Sequence, residues 1–260
     1  MKKIVIVIAL FLITVGFTSQ REDAFEPGEW FKFRVHYGIV NAGYATLEVK
    51  EDIRNNKKVF HAIGHGYSTG MTDLFFGIND NYESYFDKLT RKPYQYVRKI
   101  NEGGYTKNEE GFFNQDENKV LVKDYKNKNE KTVSVTENVQ DAVSAFYYLR
   151  NYPTIDKLKP GESIVLDMFF DGEIIKFKLK FIGREDIETK FGTISTMIFR
   201  PLVLSGRVFK EEESLTIWIS DDDNKIPIRI KASLTVGSIK ADLDGFKGLK
   251  YPFSVKVKQE

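Results

Sequence analysis

Hydrophobic and polar residues alternate along most of this chain with a period of two. Phe31, Phe33, Val35 and Tyr37 interleave with Lys32, Arg34 and His36, and Ala45, Leu47 and Val49 with Thr46, Glu48 and Lys50. Ile175, Phe177, Leu179 and Phe181 interleave with three lysines at 176, 178 and 180. Ile226, Ile228, Ile230, Ala232, Leu234 and Val236 fall on one face, followed by Ile239, Ala241 and Leu243. Each run reads as a strand with one face on a core and one in water, the pattern of antiparallel sheets. Polar breaks separate the runs at residues 55–57, 102–104, 116–118, 171–172 and 221–224. Asp171-Gly172 between two apolar stretches is a two-residue hairpin signal, and the polar stretch 124–131 predicts an exposed hairpin end. The pattern predicts a mainly β fold: a single curved antiparallel sheet or incomplete barrel, with one main helix packed on it.

That helix is predicted from Val139 to about Asn151, with Asn138 as its cap and Pro153 stopping it. Its apolar stripe (Val139, Val143 and Phe146, with Ala142, Ala145 and Leu149 beside it) suits covering the mouth or open face of the sheet. A second break is Gly70-Met71-Thr72-Asp73-Leu74-Phe75-Phe76-Gly77-Ile78. Its default reading is a core-facing loop or short helix plugging the sheet, since most large apolar residues are buried. Its functional reading makes Met71, Leu74, Phe75, Phe76 and Ile78 a mobile apolar flap that binds a lipid or another apolar ligand.

The N-terminus adds a compartment. Lys2-Lys3 followed by an apolar run of about fourteen residues matches a secretory signal peptide and is short for a membrane span, which takes roughly twenty. The expected division is a signal peptide over 1–20, cut between Thr18 and Arg21, and a single β-rich domain over 21–260; an uncleaved anchor is the alternative. The formal charge of +2 falls to zero without Lys2 and Lys3, and no basic cluster is present, so nucleic acid is a poor partner. With no cysteine there is neither a disulfide nor a lipid-modified cysteine, and stability rests on core burial, for which 21 Phe and 13 Tyr supply area. Nothing after the leader reaches transmembrane length, so a soluble mature chain is expected.

Candidate chemistry is sparse. His61 and His65 would share a helix face, but on a strand four residues span roughly 13 Å, too far for one ion. No Gly-x-Ser-x-Gly elbow, phosphate loop or dinucleotide fingerprint occurs; Ser205-Gly206 and Gly237-Ser238 are turn dipeptides. The acidic runs at 211–213 and 221–223 fall where turns are expected, and the second lacks the glycine and distal glutamate of a calcium loop. No catalytic residue, metal ligand or cofactor is therefore assigned, and the reading leans away from an enzyme.

Three blocks carry a resemblance. Gly28-Glu29-Trp30-Phe31-Lys32-Phe33-Arg34-Val35-His36-Tyr37-Gly38, with Asn41-Ala42-Gly43, resembles the opening of the exported bacterial family catalogued as domain of unknown function 3108. Asp141-Ala142-Val143-Ser144-Ala145-Phe146-Tyr147-Tyr148-Leu149-Arg150 resembles its central motif. Leu215-Thr216-Ile217-Trp218-Ile219-Ser220-Asp221-Asp222, Ile226-Pro227-Ile228-Arg229-Ile230 and Gly237-Ser238-Ile239-Lys240-Ala241-Asp242-Leu243 look like its closing strands. This last block is loosely similar to the periplasmic lipoprotein-carrier half-barrels. The resemblance implies export, to the periplasm first and to an outer-membrane-associated or secreted state otherwise. The carrier likeness implies a curved sheet with an apolar concave face closed by a helix. Three functions follow in order: a non-enzymatic envelope protein binding a lipid or acyl chain, a structural or protein-partner module of the envelope, and a hydrolase of envelope polymers.

Overall fold

The structure, a computed structural model, describes residues 23–54, 56–203 and 215–256. The leader and the acidic run at 211–213 lie outside the described residues, as does Ser205-Gly206. Fourteen strands form one open antiparallel sheet: β1 (Trp30–Tyr37), β2 (Val40–Arg54), β3 (Lys57–Ser68), β4 (Asn79–Asp87), β5 (Pro93–Glu102), β6 (Tyr105–Asn114), β7 (Lys119–Asp124), β8 (Asn129–Ser134), β9 (Ser163–Phe170), β10 (Glu173–Thr189), β11 (Gly192–Val203), β12 (Leu215–Ser220), β13 (Pro227–Ser233) and β14 (Ser238–Lys247). Their order is β8-β7-β6-β5-β4-β3-β2-β1-β14-β13-β12-β11-β10-β9. Helix α1 (Gly70–Phe75) joins β3 to β4, and α2 (Ala142–Arg150) follows β8.

The alternation set the strands as expected. Phe31 and Phe33 of β1 pack with Ile228 and Leu243 on the concave side, and Leu179 and Phe181 of β10 with Met197 and Phe199. At Asp171 and Gly172 both φ angles are positive, 52° and 78°, the left-handed pair that a two-residue hairpin turn needs. Two boundaries differ. The strand expected to run on to Val236 ends at Ser233, because Leu234 N–H donates to the Gly237 carbonyl and turns the chain. The predicted helix starts at Ala142 rather than Val139: Asn138 has a φ of 62° in a turn, and Gln140 is extended. Gln140 N–H donates to the Asp167 carbonyl, and Phe169 N–H donates to Gln140, so this residue pairs with β9 as a strand would.

That pairing bears on the sheet's one seam, between edge strands β8 and β9. Val139, Phe113, Val120 and Phe169 bury one another across it. At one end Asp171 takes both Arg98 Nη1 and Lys107 Nζ at 2.6 Å, joining β5 and β6 to the β9–β10 turn. Side chains thus bridge the seam where backbone pairing stops.

Candidate functional site: an apolar cleft beside the helix

Helix α2 is fixed at both ends over the concave face. At its start Asp141 accepts from the Val143 and Ser144 N–H groups at 2.8 and 2.9 Å, while Asp141 N–H donates to Ser144 Oγ, a reciprocal capping box. Ser84 Oγ on β4 donates to the other carboxylate oxygen at 2.6 Å. The carboxyl is fully buried, and this desolvation outweighs the hydrogen bonds, pushing it up to about 6.

At the other end Arg150 holds Glu29 in a bidentate pair at 2.5 and 2.8 Å. It also donates to the carbonyls of Asn224 and Ala24, and the Asn224 amide reaches the carbonyls of Tyr251 and Pro252. The pair is buried, with side-chain exposures of 2% and 0%, and the rings of Phe25, Phe31, Phe146 and Tyr147 surround the guanidinium. Such a pair contributes little net stability, but removing one partner strands a buried charge. Nε and both Nη nitrogens of Arg150 are engaged, so this group pins the fold.

The two flanks of α2 meet different surroundings. Toward β2–β4, Tyr147 packs against Phe25 and Phe86 with ring centroids 4.6 and 5.4 Å apart, and Val49, Phe60 and Ala62 close the layer. Toward β9–β13 the helix presents Ala142, Ala145, Phe146 and Leu149, and between them and the sheet lies a cavity of about 280 Å³. Met168, Phe177, Ile217 and Ile230 form half-buried walls, whereas Arg150, Ile155, Lys225 and Pro227 form a buried floor. The half-buried positions Phe177 and Ile217 stand toward the strand ends that carry turns 171–172 and 234–237, so the cleft opens that way. Lys225 Nζ is 2.8 Å from Asp156, and Arg150 is spent on Glu29, which leaves no unpaired cation in the lining. The volume approaches the ligand-pocket range of roughly 300–1,000 Å³ and is nearly twice a dry cavity of about 150 Å³ that takes up benzene.

The residues predicted as a ligand flap lie elsewhere. Met71, Leu74, Phe75 and Phe76 are on or beside α1 and are exposed, Ile78 is half-buried, and none lines the cleft. The favoured reading of this segment as a core plug is therefore wrong. Ser68 Oγ donates to Asp73 Oδ1 at 2.5 Å and accepts from Ile78 N–H, so the short helix is tied at both ends to the end of β3. Among cleft residues, Phe177 and Ile230 are legible as inward positions, but nothing in them announces a cavity. The usable signal is Ala145, a small buried residue on the helix flank that faces the core; Ala142 lines the cleft from an exposed position.

The histidines are on the outer face. His61 Nε2 lies 2.8 Å from Glu83 and stacks on Tyr85, His65 bonds Asn79, and His36 bonds Asp242. Among the described residues no three His, Cys, Asp or Glu side chains gather as metal ligands do. Asp222 accepts from Ser220 Oγ and the Asn224 and Lys225 N–H groups, so the acidic run at 221–223 builds a turn.

A fourteen-stranded antiparallel sheet that does not close, with a helix packed on it, defines the class of protein. Residues 32–244 match the family described as protein of unknown function DUF3108, and the chain belongs to that family. No curated protein matches it. Among solved structures it is similar to a β-barrel-like protein of the DUF1849 domain from Brucella abortus, with a TM-score of 0.57 and 9% identity over 88% of this chain and 100% of that one. At that identity the likeness shows the fold alone. A YmcC-like protein of Bacteroides fragilis, thought to be exported, aligns at 8% identity over 86% of this chain and 97% of that one, with a TM-score of 0.33, too low to argue from.

Proposed function

We propose that this chain is an exported, periplasmic, non-enzymatic protein that holds one apolar chain, such as a fatty-acyl tail, in the cleft between α2 and β9–β13. The carrying observation is the cavity of about 280 Å³ whose lining is apolar and whose two cations are already paired. A polar or charged ligand would find no partner there, whereas a hydrocarbon gains roughly 25 cal/mol for each Å² taken out of water. Export rests on the Lys2-Lys3 start and the apolar run after it. A protein-partner module acting through a sheet edge has less support, because the free edge β8 is short, exposed and polar (Asn129, Glu130, Lys131, Thr132), a composition that discourages strand addition. Solvent extraction and mass spectrometry of the purified chain should recover an acyl lipid near one per protein, and Ala145→Phe, which fills the cleft, should lose it. Equal lipid in the wild type and the folded variant would refute the assignment.

A further inference from the structure

Antiparallel hairpins place every second turn on the same rim of a sheet. Here one rim carries the turns at 37–40, 103–104, 125–128, 171–172 and 234–237 together with α1. Among the described residues fifteen large apolar side chains are exposed, and twelve of them lie on this rim; Ile53 and Leu89 are at the opposite rim and Val165 is on β9. Three neighbouring tips form the centre: Ile39 and Val40, Leu74 and Phe75, and Leu234 and Val236. Ile39 is 95% exposed, Phe75 82%, Leu74 81% and Val236 75%.

The tips are continuous in space. Tyr37 OH donates to the Val236 carbonyl at 3.0 Å, Asn41 Nδ2 donates to Thr69 Oγ1 beside α1, and the Phe76 ring lies so close over Gly103 that a side chain there would collide with it. Such an apolar patch needs an occupant. An open hollow lies between α1 and the 103–104 turn, lined by Leu74, Phe75, Ile78 and Asn101; the exposed tips around it suit insertion to shallow depth. Tyr37, Tyr105 and Tyr125 on the same rim have the amphipathic form favoured at a membrane–water boundary.

Charge selects the surface. The turns 37–40 and 234–237 contain no charged residue, and the only acid on α1, Asp73, is bonded to Ser68. Behind them Arg34, Lys231 and Lys240 have no carboxylate partner among the described residues, and Lys231 pairs with Lys240 across β13 and β14. Two residues separate that row from the 234–237 turn, three steps of strand rise or roughly 10 Å. Cations at this depth stand level with phosphates when the tips enter the acyl boundary. We propose that this rim docks on an anionic lipid bilayer. The cleft opens toward the same rim, so docking would also bring its mouth to the lipid; only that second point rests on the acyl-binding reading.

Co-sedimentation of the chain from residue 21, which holds every described element, with vesicles of three parts phosphatidylethanolamine to one part phosphatidylglycerol tests the docking. The wild type should bind. The triple variant Ile39→Asp/Leu74→Asp/Phe75→Asp should lose at least tenfold, and Lys231→Glu/Lys240→Glu should lose severalfold on these vesicles but little on neutral phosphatidylcholine. Ile53→Asp/Leu89→Asp on the opposite rim should bind as the wild type does, and unchanged melting would show that all variants fold. Absence of wild-type binding overturns docking, as does equal loss in both rims. Rim-dependent self-association without vesicle binding overturns it too and assigns the rim to a second copy. Retained uptake of a fluorescent fatty acid by the rim variant keeps the two proposals separable.

Discussion

The two flanks of helix α2 are built from the same kinds of residue and end differently. On the β2–β4 flank Tyr147, Phe25, Phe60 and Phe86 fill the space between helix and sheet, ring against ring. On the β9–β13 flank Ala142 and Ala145 stand where large residues would close the gap, and a cavity of about 280 Å³ remains. A cavity costs its neighbours their dispersion contacts, so an unfilled one lowers stability. The contrast teaches that hydrophobic content does not decide whether a sheet is a core or a container; the sizes of residues on the covering helix do. Anchoring at Asp141 and Arg150 keeps the helix from collapsing into the hollow flank.

The largest test is on that anchoring. Arg150→Met should lower stability by about 3–5 kcal/mol by stranding the Glu29 carboxylate. Glu29→Gln/Arg150→Met should recover part of the loss in denaturant unfolding. A loss below about 1 kcal/mol for the single variant would show that α2 is held by packing alone.

Next comes pH. Asp141 carries a proton in the folded protein up to about 6, against an ordinary value of 3.8. Between those values the native state binds more protons than the unfolded chain, so this group's contribution falls as pH rises, by roughly 3 kcal/mol across the window. Asp141→Asn should flatten that part of the stability–pH profile while keeping a capping oxygen. An unchanged slope would place the titration elsewhere.

A smaller pair of variants addresses the flanks directly. Ala62→Leu on the packed flank should cost about 1–3 kcal/mol through overpacking. Ala145→Leu faces the hollow and should be neutral or stabilising by up to about 1 kcal/mol. Equal penalties would mean that the flanks do not differ. The smallest effect is expected at Tyr147, whose hydroxyl is fully buried and has no hydrogen-bond partner among the described residues. Tyr147→Phe should raise the melting point slightly, by about 1 kcal/mol of stability, since an unpaired buried hydroxyl is a penalty.

Much of this molecule was legible in its sequence. The alternation at 31–37 and 175–181 and the Asp171-Gly172 turn placed strands correctly because periodicity and left-handed turn chemistry are local properties. The helix start was misplaced, because Asn138 is a good cap by type while Gln140 was already claimed by β9, a contact distant in sequence. The apolar residues of segment 70–78 suggest a plug because such residues are usually buried; that they face outward follows from the Ser68 hydrogen bonds to Asp73 and Ile78 at the end of β3, which no periodicity reveals. The cleft was illegible for a similar reason. A void is the absence of a side chain from a place that only the assembled sheet defines.

The most direct test of the account is equilibrium titration of the chain from residue 21 with a fluorescent sixteen-carbon fatty acid, followed by displacement with palmitate. An acyl-binding cleft predicts saturable binding near one per protein, competition by palmitate, and loss in Ala145→Phe and Ile217→Trp with folding intact. Non-saturable uptake, or the same affinity in the filled variants, would contradict it.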